Sequence, residues 1–360
     1  MTPSAVPPSG GLALVTGGAG FVATNVADRL LRSGRRVRIF DNLSRAGVER
    51  NVRWLRAQHG SRVELQYGDI RDGAAVATAV RGVDRVFHFA AQVAVTTSLI
   101  DPFADFDINA RGTLNLLEAL RAAGGQASLL FTSTNKVYGD LHDVQLRTDG
   151  RRYMPADRDV AESGIGEERP LDFHSPYGCS KGAAEQYVLD YARTFGLPAT
   201  VFRMSCIYGP HQFGTEDQGW VAHFAIQALR GRRLTLYGDG RQVRDILYVE
   251  DLAEAMLLAH QHIDRIAGHA FNIGGGPANT VSLLELIDLL GELTGSRAAY
   301  GFEPWRTADQ RYYVSDIRRF SALTGWAPRT GVHDGVGRLV AWLRDQAGRH
   351  EELEVDRVAS

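Results

Sequence analysis

The chain has 360 residues, enough to bury a large core and to build two lobes. Its hydrophobic (44%) and charged (23%) fractions are ordinary for a soluble globular protein, and no apolar run approaches the roughly 20 residues that span a bilayer. A formal net charge of −2 gives no case for nucleic acid or an anionic membrane as partner, and Cys179 and Cys206 alone make neither a disulfide framework nor a cysteine metal site, so a cytoplasmic protein is expected.

The opening "MTPSAVPPSGG" lacks an apolar signal core and reads as a disordered tail. "LALVTGG" then reads as a strand and Gly20–Ser33 as a helix. "RRVRIFD", "RVELQYGDI", "DRVFHFAA", "SLLFTST" and "PATVFRMS" follow as strands, separated by helical patterns such as "ARGTLNLLEALRAAG". Strands that alternate with helices and are nearly all apolar predict a parallel sheet covered on both faces. The polar stretch 140–172 reads as a long, partly irregular insertion over the site.

Beyond about residue 205 the pattern changes. "DQGWVAHFAIQALRG" predicts a helix and "RRLTLYGDGRQVRDILYV" a hairpin-rich connection. "SLLELIDLLGELTG" carries Ser282 and Glu285 at capping-box spacing and closes on Gly295. "DGVGRLVAWLRDQAG" is a last amphipathic helix. The expected architecture is α/β: a Rossmann-type doubly wound parallel sheet with a smaller α/β C-terminal substrate lobe. Residues 11–205 form the dinucleotide-binding part, with segments returning at about 241–275. Residues 206–240 and 276–350 form the lobe, and 1–10 and 351–360 are tails.

"VTGGAGFVA" stands between the first strand and the first helix. Its glycines fit G-x-G-x-x-A from Gly18 and a looser spacing through Gly17, Gly20 and Ala23. A turn without Cβ atoms lets backbone approach a pyrophosphate, whose charge sits on the helix N-terminus beside Phe21 and Val22. Asp41 ends the second strand at the distance where a carboxylate accepts ribose hydroxyls and repels a 2′-phosphate. NAD is therefore favoured over NADP, although Arg45 lies just beyond. Asp69 and Ile70 would flank the adenine, and Ala90 and Ala91 leave room for cofactor backbone.

Tyr177 and Lys181 lie four residues apart on a predicted helix and share a face. Thr134 ends the fifth strand, and strand ends of an open parallel sheet converge on the ligand crevice. A free tyrosine has a pKa of about 10. A nearby ammonium and a nicotinamide cation would favour phenolate, making Tyr177 a base for hydride-coupled proton transfer. Lys136 and Lys181 are the two lysines in a chain with 40 Lys plus Arg, and a compact ammonium is not interchangeable with a guanidinium. Y-x-x-x-K alone is also a common surface pair.

Taken together, "TGGAGFVA", "DNLSR", "GDIRD", "FHFAA", S-T-x-x-V-Y-G, Y-G-x-S-K and "VRDILYVEDLA" resemble the extended short-chain dehydrogenases/reductases that act on nucleotide sugars. The resemblance covers about residues 11–345. It implies bound NAD, with Thr134, Tyr177 and Lys181 catalytic, and extends the cofactor set to Asn42, Ser44, Gln92 and Asn109. In the sugar dehydratases of that superfamily an Asp-Glu pair follows the catalytic Thr; here Asn135-Lys136 stands there. Reversible oxidation of one carbinol, an epimerisation with retained cofactor, is what remains. "STNKVYGDL", "LDFHSPYGCSKGAAEQY", "DQGWVAHF" and "GRQVRDIL" are similar to the CDP-paratose 2-epimerases within that family.

By that resemblance Asn135 and Lys136 are sugar contacts, Arg244 and Arg306 grip the substrate diphosphate, and Asp309 holds the nucleoside ribose. A solvent-facing role for Lys136 stays open. Cys179 is expected to be buried in packing, while Met204 and Cys206 depart from a wider family pattern that places Asn at 206. A UDP-sugar 4-epimerase or a CDP-glucose-type 2-epimerase on the same scaffold is the alternative, and a non-catalytic dinucleotide-binding regulator is a rival from another class. No metal site is expected. A homodimer or dimer-based tetramer through helices near 105–122 and 177–195 is implied.

Overall fold

The computed structural model describes residues 10–306 and 309–358, so all of the expected N-terminal tail except Gly10 lies outside the described residues. In chain order the strands are β1 (Leu12–Thr16), β2 (Arg36–Asp41), β3 (Val63–Tyr67), β4 (Val83–His88), β5 (Ser128–Thr134), β6 (Leu146–Asp149), β7 (Arg152–Pro155), β8 (Ala199–Met204), β9 (Cys206–Tyr208), β10 (Leu234–Tyr237), β11 (Val243–Tyr248), β12 (Ala270–Ile273), β13 (Thr280–Ser282), β14 (Tyr300–Glu303) and β15 (Tyr312–Tyr313). Seven of them make one all-parallel sheet in the order β12-β8-β5-β4-β1-β2-β3. Strand order reverses between β1 and β4, so the ligand crevice opens at their C-terminal ends.

Helices cover both faces of the sheet. Phe21–Arg32, Glu49–His59 and Val249–Gln261 bury Leu30, Leu55 and Met256 on one side. Gly73–Ala79, Gly112–Ala122 and Ser175–Phe195 bury Val76, Leu116 and Val188 on the other. Because both faces are covered, β1 and β5 are buried along their whole length, and β1 reads as apolar up to Thr16. Truncating Leu30 or Leu116 to Ala, both fully buried, would cost about 2–5 kcal/mol.

The C-terminal lobe has its own core around Tyr208, Phe224, Leu236, Ile287 and Leu339. Its helix Leu283–Thr294 starts with the expected capping box: Glu285 N donates to Ser282 Oγ at 3.1 Å and Ser282 N to Glu285 Oε2 at 2.8 Å. Gly295 closes it in the left-handed conformation.

Three expectations are corrected. Residues 232–249 do not form a hairpin: β10 pairs with β14, whereas β11 pairs with β13, β15 and β9. The insertion 140–172 does not lie over the site. It folds as the β6–β7 hairpin and a short helix, Arg158–Ser163, held against the lobe by Arg152–Glu285 and by Ile165 N donating to Val314 O at 2.7 Å. The last helix runs from Val332 to Val358, through residues expected as tail. Among the described residues, no helix is long and apolar enough to cross a membrane, and no group of three or more His, Cys, Asp or Glu is placed to hold a metal.

Candidate active site

A cavity of about 710 Å³ opens at the ends of β1, β2 and β4. Its floor is the glycine turn. Gly17 has φ +62°, and a Cβ there would stand 2.7 Å from Ala90 N and 2.8 Å from Ala90 Cα. Only glycine allows this conformation and approach without strain. Gly20 begins the helix with no side-chain cap, which leaves the first-turn amides of Phe21, Val22 and Ala23 facing the cavity they line. That is an anion seat for a pyrophosphate.

Asp41 lines the same cavity. One carboxylate oxygen accepts from Ala19 N at 3.0 Å and the other from Leu43 N at 2.7 Å, which fixes its orientation and leaves lone pairs for ribose hydroxyls. The Arg71 guanidinium, helped by the Asn42 amide donating at 2.9 Å, holds the Asp69 carboxyl far below the usual range. Ser44, Arg45, Asp69, Ile70, Ala90 and Ala91 also line the cavity. Cradle, uncapped helix and oriented carboxylate together fit NAD. Gln92 and Asn109, expected with them, do not reach the wall; they bond to each other instead, Gln92 N donating to Asn109 Oδ1 at 2.9 Å.

The helix Ser175–Phe195 starts with Pro176 in its first turn, where a missing N–H costs nothing. It carries Tyr177 and Lys181 on one buried face, both lining the cofactor cavity. Thr134 stands at the end of β5 and interacts with the Tyr177 phenol. The protein's own side chains do not depress the phenol. Burial pushes Tyr177 up to about 12, against a pull down from Thr134 and with a further push from Asp105. Burial brings Lys181 down to about 7, although Glu185 and Asp105 oppose it. Desolvation dominates both shifts, so the cationic ring of bound NAD, with the Lys181 ammonium, would supply the charge that favours phenolate.

A second cavity, of about 800 Å³, begins at Tyr177 and runs into the C-terminal lobe. Thr134, Asn135, Lys136, Arg244, Arg306 and Asp309 all line it. Arg244 Nη2 donates to Asp309 Oδ1 at 2.8 Å, and Lys136 Nζ lies 3.7 Å from the same oxygen. Burial alone would raise Asp309, but Arg244 and Lys136 hold it below its ordinary value. Burial lowers Lys136, with Asp309 opposing. Arg306 stacks 3.9 Å above Tyr237 and reaches Glu216 O at 3.2 Å and Asp217 Oδ1 at 3.5 Å.

The two cavities meet at Val93, Tyr177, Cys206 and the segment Asp217–Trp220. The sequence marked that segment only as part of the "DQGWVAHF" resemblance, without a role at the junction, and it did not mark Tyr237 or Trp305. Cys206 Sγ accepts from Trp220 Nε1 at 3.3 Å. Cys179 is exposed rather than buried, because it falls on the outer face of its helix. His211 lines the cofactor cavity, and His174 pairs with Asp172 away from both cavities.

Comparison with known proteins gives a consistent result. The NAD dependent epimerase/dehydratase family profile matches residues 13–274. CDP-paratose 2-epimerase of Salmonella typhi is 43% identical over 336 residues, 91% of this chain and 98% of that one. UDP-glucose 4-epimerase of Mycolicibacterium smegmatis is 30% identical, covering 93% of this chain and 99% of its own length. The crystal structure of Thermus thermophilus UDP-glucose 4-epimerase with NAD superposes with a TM-score of 0.77 at 33% identity, covering 92% of this chain and 99% of that one. The chain belongs to the NAD dependent epimerase/dehydratase family, and NAD is its cofactor.

Proposed function

We propose that the chain inverts C2 of a CDP-activated sugar, as in the conversion of CDP-paratose to CDP-tyvelose, through a transient 2-keto sugar. One observation carries this reading: 43% identity over nearly the whole of both chains with a CDP-paratose 2-epimerase. The 4-epimerases stand at 30–33%. Asn135 and Lys136 in the substrate cavity support it too, since neither supplies the acid–base pair a dehydratase needs.

Bound NAD would supply the hydride acceptor for C2 and the donor for its return to the opposite face. Tyr177 takes the proton of the C2 hydroxyl and gives it back, and Thr134 hydrogen-bonds the same oxygen. Lys181 holds ribose hydroxyls and stabilises the phenolate. Asn135 and Lys136 contact the sugar. Arg244 and Arg306 grip the diphosphate with forked donors, Arg306 exchanging Asp217 for phosphate, and Asp309 meets the nucleoside ribose. Incubation with CDP-, UDP- and dTDP-sugars, read by NMR, tests the assignment. Inversion at C2 of the CDP-sugar is expected; inversion at C4 of a UDP-sugar would replace the reading with the 4-epimerase.

A homodimer is part of the same proposal. Ile100 (85% exposed) and Phe103 (84%) stand beside Leu99, Phe106 and Tyr187, an apolar surface on and next to the Tyr177 helix. A monomer by light scattering would refute it. The unpaired Cys179 and Cys206 support a cytoplasmic location.

A further inference from the structure

A buried carboxylate behind the Tyr177 helix takes no part in the roles above. Asp105, on the short helix Pro102–Phe106, is fully buried. It accepts from Gln92 Nε2 at 2.7 Å, from Asn109 Nδ2 at 3.2 Å and from the Ser180 hydroxyl. Ser180 in turn accepts from Asn109 Nδ2 at 3.0 Å and lies 3.2 Å from Tyr177 O. The carboxylate therefore ties the loop after β4 to the helical turn between Tyr177 and Lys181. This is where Gln92 and Asn109 act, rather than on the cofactor wall.

An asparagine would fit these bonds at far lower desolvation cost, because a buried charge is much more expensive than a buried amide. Burial pushes the Asp105 carboxyl up, while the bonds from Ser180 and Gln92, the Lys181 charge and the Asn109 bond pull it back down; a carboxylate kept ionised at that cost points to a use for its charge. Glu185, the other buried carboxylate near Lys181, is matched by Arg203, whose Nε and Nη2 donate to it at 2.9 and 2.5 Å. Among the described residues, Asp105 has no cation in contact. Its field falls on Lys181 and Tyr177. The titratable groups facing Lys181 are Asp105, Glu185 and His88, and burial keeps His88 neutral; Asp105 is the titratable group acting on Tyr177, beside the Thr134 hydroxyl that hydrogen-bonds it. Asp105 pushes both Lys181 and Tyr177 upward.

We propose that Asp105 is a positioning residue for proton transfer: it fixes the Tyr177–Lys181 turn and supplies the buried counter-charge that keeps Lys181 an ammonium. This rests on the catalytic reading of Tyr177 and Lys181. The test is Asp105→Asn in the full-length, NAD-loaded protein, with turnover of the CDP-sugar measured against pH. Bound NAD should stay at wild-type content. Both limbs of the kcat profile should move to lower pH by about one unit, with about a tenfold fall in kcat on the alkaline side. Asp105→Ser, which leaves room for a water, is the second charge-free variant and should behave alike. Ser180→Ala, which loosens the tie but keeps the charge, should leave both limbs in place. Unmoved limbs in both Asp105 variants would overturn the proposal. Wild-type turnover by Tyr177→Phe would instead overturn the catalytic reading beneath it.

Discussion

Lys181 Nζ stands 4.1 Å from the centroid of the Phe131 ring, on the face of the β5 aromatic. A desolvated ammonium gains about 2 kcal/mol from such a face, which offsets part of the cost of holding it in a site only 3% exposed. The geometry suits a compact point charge. A guanidinium, larger and planar with its donors fixed in a fork, would not place a donor where the ammonium stands. Lys181→Arg should therefore keep the charge yet lower turnover by about 10²-fold or more. Steady-state kinetics with bound NAD quantified would check this.

Folding stability should report the burial of that same group. The folded Lys181 titrates at about 7, against 10.5 for an ordinary lysine. Between those values the unfolded chain binds one more proton than the folded one. Stability from this group is therefore greatest above the unfolded value and is lost as pH falls through about 7. Lys181→Met removes the titration. The wild-type melting temperature minus that of the variant should be about 2–4 °C larger at pH 10 than at pH 7. Thermal melts at the two pH values decide it.

Gly17→Ala should destroy the cofactor seat. The residue has φ +62°, and the atoms a Cβ would meet, Ala90 N and Cα, are backbone that cannot move aside. At least a tenfold loss of bound NAD is expected, with a destabilisation of about 1–3 kcal/mol. Gly34→Ala is the control: φ is +90° but nothing stands within 4 Å, so strain appears without loss of NAD. Mass spectrometry of the purified variants measures the nucleotide.

Arg244→Lys should separate binding from chemistry. Arg244 is buried, spans Asp309 and the Gln310 carbonyl, and lines the substrate cavity. Losing the fork should raise KM for the nucleotide sugar about tenfold and change kcat little. Calorimetric titration with CDP should show the same loss.

Much of this was legible in the sequence because it is local. The glycine turn, the capping box at Ser282 and the i,i+4 placement of Tyr177 and Lys181 each depend on a few neighbouring residues, and the structure has each of them. Pairing between distant segments was not. β10 and β11 look like two arms of a hairpin until β14 and β15 arrive to pair with them. The polar composition of 140–172 hid Arg152, which reaches Glu285, and so hid where the insertion packs. The direction of the Tyr177 shift depends on burial, which spacing does not report. Asp105 carried no mark in the sequence, because only burial shows that its carboxylate faces inward to Asn109.

The most direct test uses a CDP-sugar substrate carrying deuterium at C2, in ordinary water. Hydride transfer to and from tightly bound NAD predicts an inverted product that keeps its deuterium. Solvent hydrogen at C2 of the product, or free CDP released during turnover, would contradict it.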